Sequence, residues 1–153
     1  MVDVALATVI LVVAAGGLIS TVISTSKLSR VTEESSDAYE AARAITETIY
    51  ATNPGEVFAT FNAAPFFTVP GLNLQDGDAD GFVGQIIFPT IGGELREDSV
   101  NAELGMPRDL NGDGVIDALD HSDDYTILPL TLRMQWKGVS GNEAADLTML
   151  IEN

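Results

Sequence analysis

The chain has 153 residues, enough for one folded domain, and carries 23 acidic against 7 basic side chains for a formal net charge of −16. This charge balance excludes nucleic-acid binding as a main role, because few side chains could neutralise phosphates. Cysteine is absent, which excludes disulfides, thiolate metal sites and a cysteine nucleophile without fixing the compartment.

The first predicted element is a long helix, uncharged from Val4 to Ser26. At about 1.5 Å per residue this part would measure roughly 35 Å, enough to cross a bilayer core. It is rich in alanine, valine, serine and threonine, and small residues let helices approach closely. The composition therefore suits packing against copies of itself at least as well as facing lipid. Two adjacent glycines, Gly16 and Gly17, favour a bend or local unwinding.

The same segment differs from a secretory signal peptide, because it has no basic start and runs on into a charged helix instead of a cleavage site. If the protein is exported, we expect this chain to be its processed form.

After Ser26 the predicted helix becomes amphipathic, with charged residues on its other faces. Apolar or small residues recur at spacings of three and four and predict one narrow seam: Leu28, Val31, Ser35, Ala38, Ala42, Ile45 and Ile49. Asn53-Pro54-Gly55 then ends the helix, after about fifty residues. We therefore divide the chain into an apolar assembly or membrane helix (1–27), its amphipathic continuation (28–53) and a globular head (54–153).

The head is predicted to be small and rich in antiparallel strands, which makes the fold class α+β. Patterns of alternation and of turn residues predict a short helix over Glu56–Ala64, an extended piece over Pro65–Val69, and strands over Val83–Phe88, Leu130–Lys137 and Ala145–Glu152. The last two form a hairpin through a turn at 138–142, with one buried side that covers the helix seam. The polar region 94–124 is too long for an unsupported loop, so something must order it.

Part of that region matches a twelve-residue calcium loop. Gly114 stands at the sharp turn, and Ile116 is expected to anchor the loop in the core. The ligand oxygens would come from Asp109, Asn111, Asp113, the Val115 carbonyl, Asp117 and Asp120. The segment resembles dockerin-like loops, in which an aspartate also closes the site. The alternative is a solvated acidic loop held by Asx-turns. Because no helix pair flanks the loop as in a sensor, we expect structural Ca²⁺.

A second acidic stretch has the first half of the same pattern. Its ligands would be Asp76, Asp78, Asp80 and the Phe82 carbonyl. Position twelve is Ile87, so a closing carboxylate must come from elsewhere, with Glu94, Glu97, Asp98 or the 120–124 region as candidates. A plain surface turn between strands is the competing interpretation.

No catalytic residue is predicted. The chain lacks a nucleophile elbow, a phosphate-cradling glycine loop and a histidine-rich zinc pattern. The only histidine, His121, is expected to be a surface residue or a loop hydrogen-bonder. Arg96, Arg108 and Arg133 are expected to pair with local acids, and we predict that the protein is not an enzyme.

The N-terminus, Met1-Val2-Asp3-Val4-Ala5-Leu6-Ala7-Thr8-Val9-Ile10-Leu11, resembles mature type IV pilins and the pseudopilins of type II secretion, whose chains begin Phe-Thr-Leu-Val-Glu. Asp3 aligns with the family glutamate, although the acid is shorter and two residues fewer precede it. The resemblance implies assembly roles for Met1, Asp3, Gly16 and Gly17: the acid would pair with a neighbour's α-amino group, and the helix would loosen at the glycines. The other interpretation of Asp3 is an acid placed on the positive end of a helix.

The resemblance implies a structural subunit of an extracellular, type IV pilus-like filament. Such a subunit waits in the inner membrane, is polymerised by pilus assembly or secretion machinery, and then partners copies of itself. A minor pilin or a type II secretion pseudopilin is the nearest alternative. A single-span, membrane-anchored calcium-binding domain is the alternative from a different class.

Overall fold

A computed structural model describes the backbone of residues 2–153 and the side chains of residues 7 and 10–153. Met1 and the side chain of Asp3, both predicted to act in assembly, lie outside the described residues. The chain forms a long helix, a 3₁₀ turn and a short helix, followed by strands. The elements are α1 Val2–Ala51, the 3₁₀ turn Pro54–Glu56, α2 Val57–Ala63, β1 Phe66–Phe67, β2 Gly84–Ile87, β3 Thr90–Ile91, β4 Glu94–Leu95, β5 Ile127–Gly138 and β6 Gly141–Glu152. The predicted α+β class is confirmed.

Helix α1 remains α-helical through Gly16 and Gly17, so the local unwinding that we predicted there is wrong for the single subunit, and loosening of the helix on assembly stays a prediction. Glycine lowers helix propensity but keeps its backbone N–H, so the hydrogen-bond ladder can continue through it. The Thr21 hydroxyl adds a bond of 2.9 Å to the Gly17 carbonyl oxygen. The helix is therefore one continuous rod from the apolar end to the head.

Helix α1 contacts β5 and β6, and the buried residues of its seam lie in the second half of the helix. Ala38, Ala42 and Ile49 are buried, as predicted, whereas Leu28 is 68% exposed and does not belong to the packed seam. The hairpin explains this limit, because its tip lies beside Glu34, whose Oε2 accepts a bond of 3.4 Å from the Val139 N–H. Leu28 lies beyond that tip, where the head offers it no surface.

The main sheet has the order β1-β2-β5-β6 and is antiparallel throughout. The predicted hairpin is confirmed but is longer than expected, because Gly138 pairs with Gly141 and only two residues form the turn. The short strands β3 and β4 form a separate two-stranded sheet at the start of the long polar region.

Strand β5 is the centre of the core. Its inward side chains, Leu130, Leu132, Met134 and Trp136, are all buried, which confirms the predicted face. The expectation of only one buried side is wrong at Thr131, which is buried on the opposite face and bonds Thr148 across the strands, Oγ1 to Oγ1, at 2.9 Å. The long polar region lies beside that face: Glu103 pairs with Arg133 of β5 at 3.0 Å, and residues 102–105 and 108 line a surface cavity together with Thr148, Met149 and Leu150. The region is therefore part of the domain's packing.

One glycine is required by a close approach. Gly84 pairs with Phe67 across β1 and β2, and a Cβ built at Gly84 would lie 2.1 Å from the Phe67 ring. The aromatic ring therefore covers the bare backbone of β2, as aromatic residues do beside strand glycines elsewhere.

Tyr125 joins the end of the long polar region to the segment after α1. Its buried hydroxyl donates to the Pro54 carbonyl oxygen and accepts a bond of 3.3 Å from the Phe58 N–H. Burial raises the pKa of Tyr125, so the phenol keeps the proton that it donates. The hydroxyl thus satisfies two backbone groups of the turn into α2.

We predict that Tyr125→Phe lowers the free energy of unfolding by about 1–3 kcal/mol, because the buried Phe58 N–H loses its acceptor and the Pro54 carbonyl oxygen loses one of its donors. Tyr50→Phe is the matched control, since Tyr50 is 63% exposed and should change stability by less than about 0.5 kcal/mol. Chemical unfolding of the full chain in mild detergent, followed by circular dichroism, measures both. Equal effects of the two substitutions would contradict this role.

Candidate metal centre

The front of the predicted calcium loop is a series of tight turns capped by its own side chains. Asp109 accepts the N–H groups of Gly112 and Gly114 at 2.6 and 2.7 Å. The Asn111 side-chain oxygen accepts the Asp113 N–H at 3.0 Å, and Asp113 accepts the Val115 N–H at 2.8 Å. Gly114 has a φ of +87°, which supplies the sharp turn predicted at loop position six. These are the contacts of the Asx-turn alternative, and they present several side-chain oxygens on one short stretch.

The back of the loop is engaged elsewhere. Asp117 Oδ1 accepts the Leu119 N–H at 2.7 Å and lies 3.2 Å from His121 Nε2. Asp120 Oδ1 accepts the N–H groups of Leu95 and Ser122, each at 3.1 Å, and so ties the loop to β4. The back of the loop therefore packs against the start of the long polar region.

The predicted core anchor of the loop is wrong, because Ile116 is half exposed. Leu110 is fully buried instead, and its carbonyl oxygen accepts the N–H groups of Thr126 and Ile127 at 2.7 and 3.0 Å. The loop is thus anchored at its second residue, next to the start of β5, and its apolar middle is left in solvent.

Glu97 is the residue that orders this region, and sequence reasoning assigned it only as a candidate for the other acidic loop. Its side chain is completely buried. Oε1 accepts the N–H groups of Leu110 and Asn111 at 2.6 and 3.3 Å, and Oε2 accepts the Asp117 N–H at 3.1 Å. One carboxylate therefore holds the front and the back of the calcium-like loop together.

His121 lies against this carboxylate and is buried, so the expectation of a surface position is wrong and that of a loop hydrogen-bonder is confirmed. Its Nε2 lies 3.2 Å from Asp117 Oδ1 and 3.8 Å from Glu97 Oε2, and its Nδ1 lies 3.0 Å from Asp124 Oδ1. Burial by itself lowers the pKa of His121, but the bonds to Asp117 and Asp124 outweigh it and leave the pKa raised. The Leu119 N–H, and then His121, hold the pKa of Asp117 below its usual value.

Glu97, Asp117 and His121 form a cluster whose ligand atoms all lie within 4.8 Å of one another. In the described part of the chain it is the only group of three or more histidine or acidic side chains placed so closely. Such a group could hold a metal ion. Of the six predicted loop ligands only Asp117 belongs to it, and nothing in the arrangement identifies calcium.

The first acidic loop is a surface turn beside the hairpin. Asp78 Oδ1 accepts the N–H groups of Asp80 and Gly81 at 3.0 and 2.7 Å, and Asp80 Oδ1 accepts the Phe82 N–H at 2.9 Å. Asp76 pairs with Lys137 Nζ at 2.6 Å. Two of the suggested closing residues serve elsewhere, because Glu97 holds the other loop and Asp98 pairs with Arg96 at 2.7 Å. Calcium binding by this loop stays a prediction.

The arginines behave largely as predicted. Besides the Arg96–Asp98 pair, Arg133 bonds Asp146 on the neighbouring strand and Glu103 of the long polar region, at 2.9 and 3.0 Å. The pKa of Asp98 is held below its usual value by the Arg96 hydrogen bond. These pairs are structural. Arg96 also lies within electrostatic reach of the cluster, because the charge of Asp117 adds, after those of Asp98 and Glu94, to the rise in the pKa of Arg96.

The N-terminal part of α1 stands free of the head. From residue 10 to residue 30 every side chain is exposed, and a Cβ added at Gly16 or Gly17 would meet nothing within 4 Å. This part is long and apolar enough to cross a membrane, and by length and apolarity alone a signal sequence would meet the same criterion. Comparisons with protein families, curated proteins and solved structures return no match to this chain.

We predict that Glu97→Ala lowers the free energy of unfolding by more than about 3 kcal/mol, because three N–H groups around a buried position lose their acceptor together. Glu94→Ala removes an equally large but exposed side chain three residues earlier and should cost less than about 0.5 kcal/mol. Chemical unfolding of the full chain in detergent measures the difference. A Glu97→Ala protein as stable as the control would contradict the assignment.

Proposed function

We propose that this chain is the structural subunit of an extracellular, type IV pilus-like filament that polymerises through its apolar N-terminal helix. The observation that carries the proposal is the free part of α1, which is uncharged as far as Ser26 and whose described side chains are not packed against any other part of the subunit. A soluble monomer does not keep so large an apolar surface in water. The surface therefore belongs in lipid, among other copies of the same helix, or in each at different times.

The chemistry of the rod suits both surroundings. Two of its hydroxyls bond carbonyl oxygens one turn earlier, Thr21 to Gly17 and Thr25 to Thr21, each at 2.9 Å, so these two bring no unpaired donor into lipid. Gly16 and Gly17 leave the helix surface bare, which allows a neighbouring helix to approach closely. The subunit would wait in the inner membrane and then pack into the filament core with the help of assembly or secretion machinery. Asp3 would pair with a neighbour's α-amino group.

The head would face solvent and bind structural Ca²⁺. Turns that place the oxygens of Asp109, Asn111 and Asp113 on one short stretch support an ion at the front of the loop. The subunit carries a formal net charge of −16, so neighbouring acidic heads would repel one another. Bound calcium would reduce that repulsion as well as hold the loop. The role is structural, with neither enzymatic activity nor nucleic-acid binding.

Two other functions are compatible with the same observations. A minor pilin or type II secretion pseudopilin would have the same fold and the same apolar rod, and the abundance of this chain in purified filaments separates it from a major subunit. A single-span anchored calcium-binding domain is favoured by the length and apolarity of the rod alone. That protein would remain a detergent-soluble monomer even in cells that contain its assembly machinery.

We predict that Ile19→Glu abolishes filament assembly, because a buried carboxylate among packed apolar helices lacks a partner. Ile19 is 61% exposed in the subunit, so the head should still fold. Val100→Glu is the matched control, since Val100 is 90% exposed on the head and its replacement should leave filaments intact. Sheared cell-surface filaments, imaged by electron cryo-microscopy and traced in density, report assembly. Wild-type chain found only in the lipid fraction would refute the proposal.

We also predict that calcium raises the Tm of the full chain in detergent and that chelation reverses the rise. Asp113→Asn keeps the shape of the side chain but removes a ligand charge, so it should reduce the calcium-dependent shift by at least half. Asp123→Asn makes the same change at an exposed acid outside the loop and should leave the shift unchanged. A wild-type Tm that does not respond to calcium would rule out a structural ion here.

A further inference from the structure

The cluster of Glu97, Asp117 and His121 differs in chemistry from the front of the calcium-like loop. It offers one imidazole nitrogen and two carboxylate oxygens, whereas the front of the loop offers oxygen alone. Calcium takes oxygen ligands, and an imidazole with carboxylates suits zinc and similar divalent transition metals.

The spacing of the ligand atoms fits a single small ion. Ligand atoms about 2.1 Å from a common zinc ion lie roughly 3–4 Å from one another. His121 Nε2 is 3.2 Å from Asp117 Oδ1 and 3.8 Å from Glu97 Oε2, and no pair in the cluster exceeds 4.8 Å. The cluster therefore needs only small side-chain shifts to enclose the ion.

The outer contacts hold the ligands in the form that metal binding requires. Asp124 Oδ1 lies 3.0 Å from His121 Nδ1, so it can accept a hydrogen bond from Nδ1–H. The proton then stays on Nδ1, and the lone pair of Nε2 is directed at the cluster. Glu97 Oε1 accepts two of its three backbone N–H groups, whereas Oε2 accepts only that of Asp117 and keeps its second lone pair for a metal ion. In metal sites, a carboxylate often orients a histidine ligand in this way, as Asp124 does for His121. Glu97 would be a second ligand, held rigidly by its backbone hydrogen bonds.

The charge balance provides an independent reason for a cation. Three carboxylates, those of Glu97, Asp117 and Asp124, surround one imidazole, so negative charge remains in excess even when the ring is protonated. In the described part of the chain, none of the three pairs with a lysine or arginine at 4 Å or less, and Arg96, which Asp117 influences from farther away, is already paired with Asp98. Because Glu97 is completely buried, water cannot screen its charge, and a divalent ion would compensate it.

We propose that Glu97 Oε2, Asp117 Oδ1 and His121 Nε2 bind one divalent transition-metal ion of the zinc class, at a site separate from the calcium at the front of the loop. The ion would join the start of the long polar region to its end and complete the ordering that Glu97 begins. This inference does not depend on the filament, because it concerns the head alone and holds equally for an anchored monomer.

The test uses the full chain in detergent, labelled with ¹⁵N-histidine and titrated with zinc chloride. The chain has one histidine, so the two ring nitrogens of His121 give a unique pair of signals. We expect zinc to bind with one-to-one stoichiometry by calorimetry and to shift Nε2 while Nδ1 keeps its proton. Unchanged ring nitrogens at millimolar zinc, or two protonated nitrogens in its presence, would overturn the proposal in favour of an imidazolium held by acids.

Matched variants separate this site from non-specific acids and from calcium. Asp124→Asn, at a side chain that is 60% exposed, should keep the fold and weaken zinc binding about 10–100-fold, whereas Asp123→Asn should leave it unchanged. Asp113→Asn should reduce the calcium-dependent rise in Tm by at least half and keep the zinc-dependent signal. Equal weakening by Asp124→Asn and Asp123→Asn, or displacement of zinc by an equal concentration of calcium, would refute a separate site. Because Glu97→Gln and His121→Gln change buried groups, the exposed Asp124 carries the test.

Discussion

The packing of one face of α1 on β5 is the contact on which the rest of the structure depends. Ala38 and Ala42 present almost no side chain, so the helix backbone approaches the sheet closely, and Ile49 fills the remaining space near the end of the helix. This contact ends where the hairpin tip meets Glu34. The same boundary therefore defines both the size of the head and the length of helix left without a partner.

The free part of the helix and the buried seam both present apolar surface that is more stable out of water. Removing apolar surface from water is favourable. The seam is removed from water inside the subunit, whereas nothing within the subunit covers the free part of the helix. The proposal of a filament follows from that asymmetry. A membrane span covers this surface with lipid and a polymer covers it with copies, which is why the rival functions share one fold and differ in where the rod is found.

The head meets a different constraint, because its long polar region has few apolar side chains to bury. Hydrogen bonds to side-chain oxygens hold this region in place instead. Glu97 accepts N–H groups from the front and the back of the calcium-like loop, and Asp120 ties that loop to β4. Tyr125, just after the long polar region, bonds the turn before α2. Concentrating carboxylates in this way leaves an excess of negative charge, so the region is favourable for cations in both proposed places.

The sequence by itself determined the elements whose patterns are local: the fifty-residue helix, the alternating strand Leu130–Trp136, the hairpin and the glycine turns of the acidic loops. Their periodicity and turn chemistry act over a few residues, so they can be recognised without knowing the fold. Tertiary structure alone decided which residues meet across long separations. Glu97 lies next to His121 and Asp117 because β4 and the calcium-like loop pack together, and no spacing in the chain encodes that contact. For the same reason the sequence could not give the exposure of Leu28 and Ile116. Leu28 is exposed because the head ends before it, and Ile116 is exposed because Leu110 occupies the core position of the loop instead.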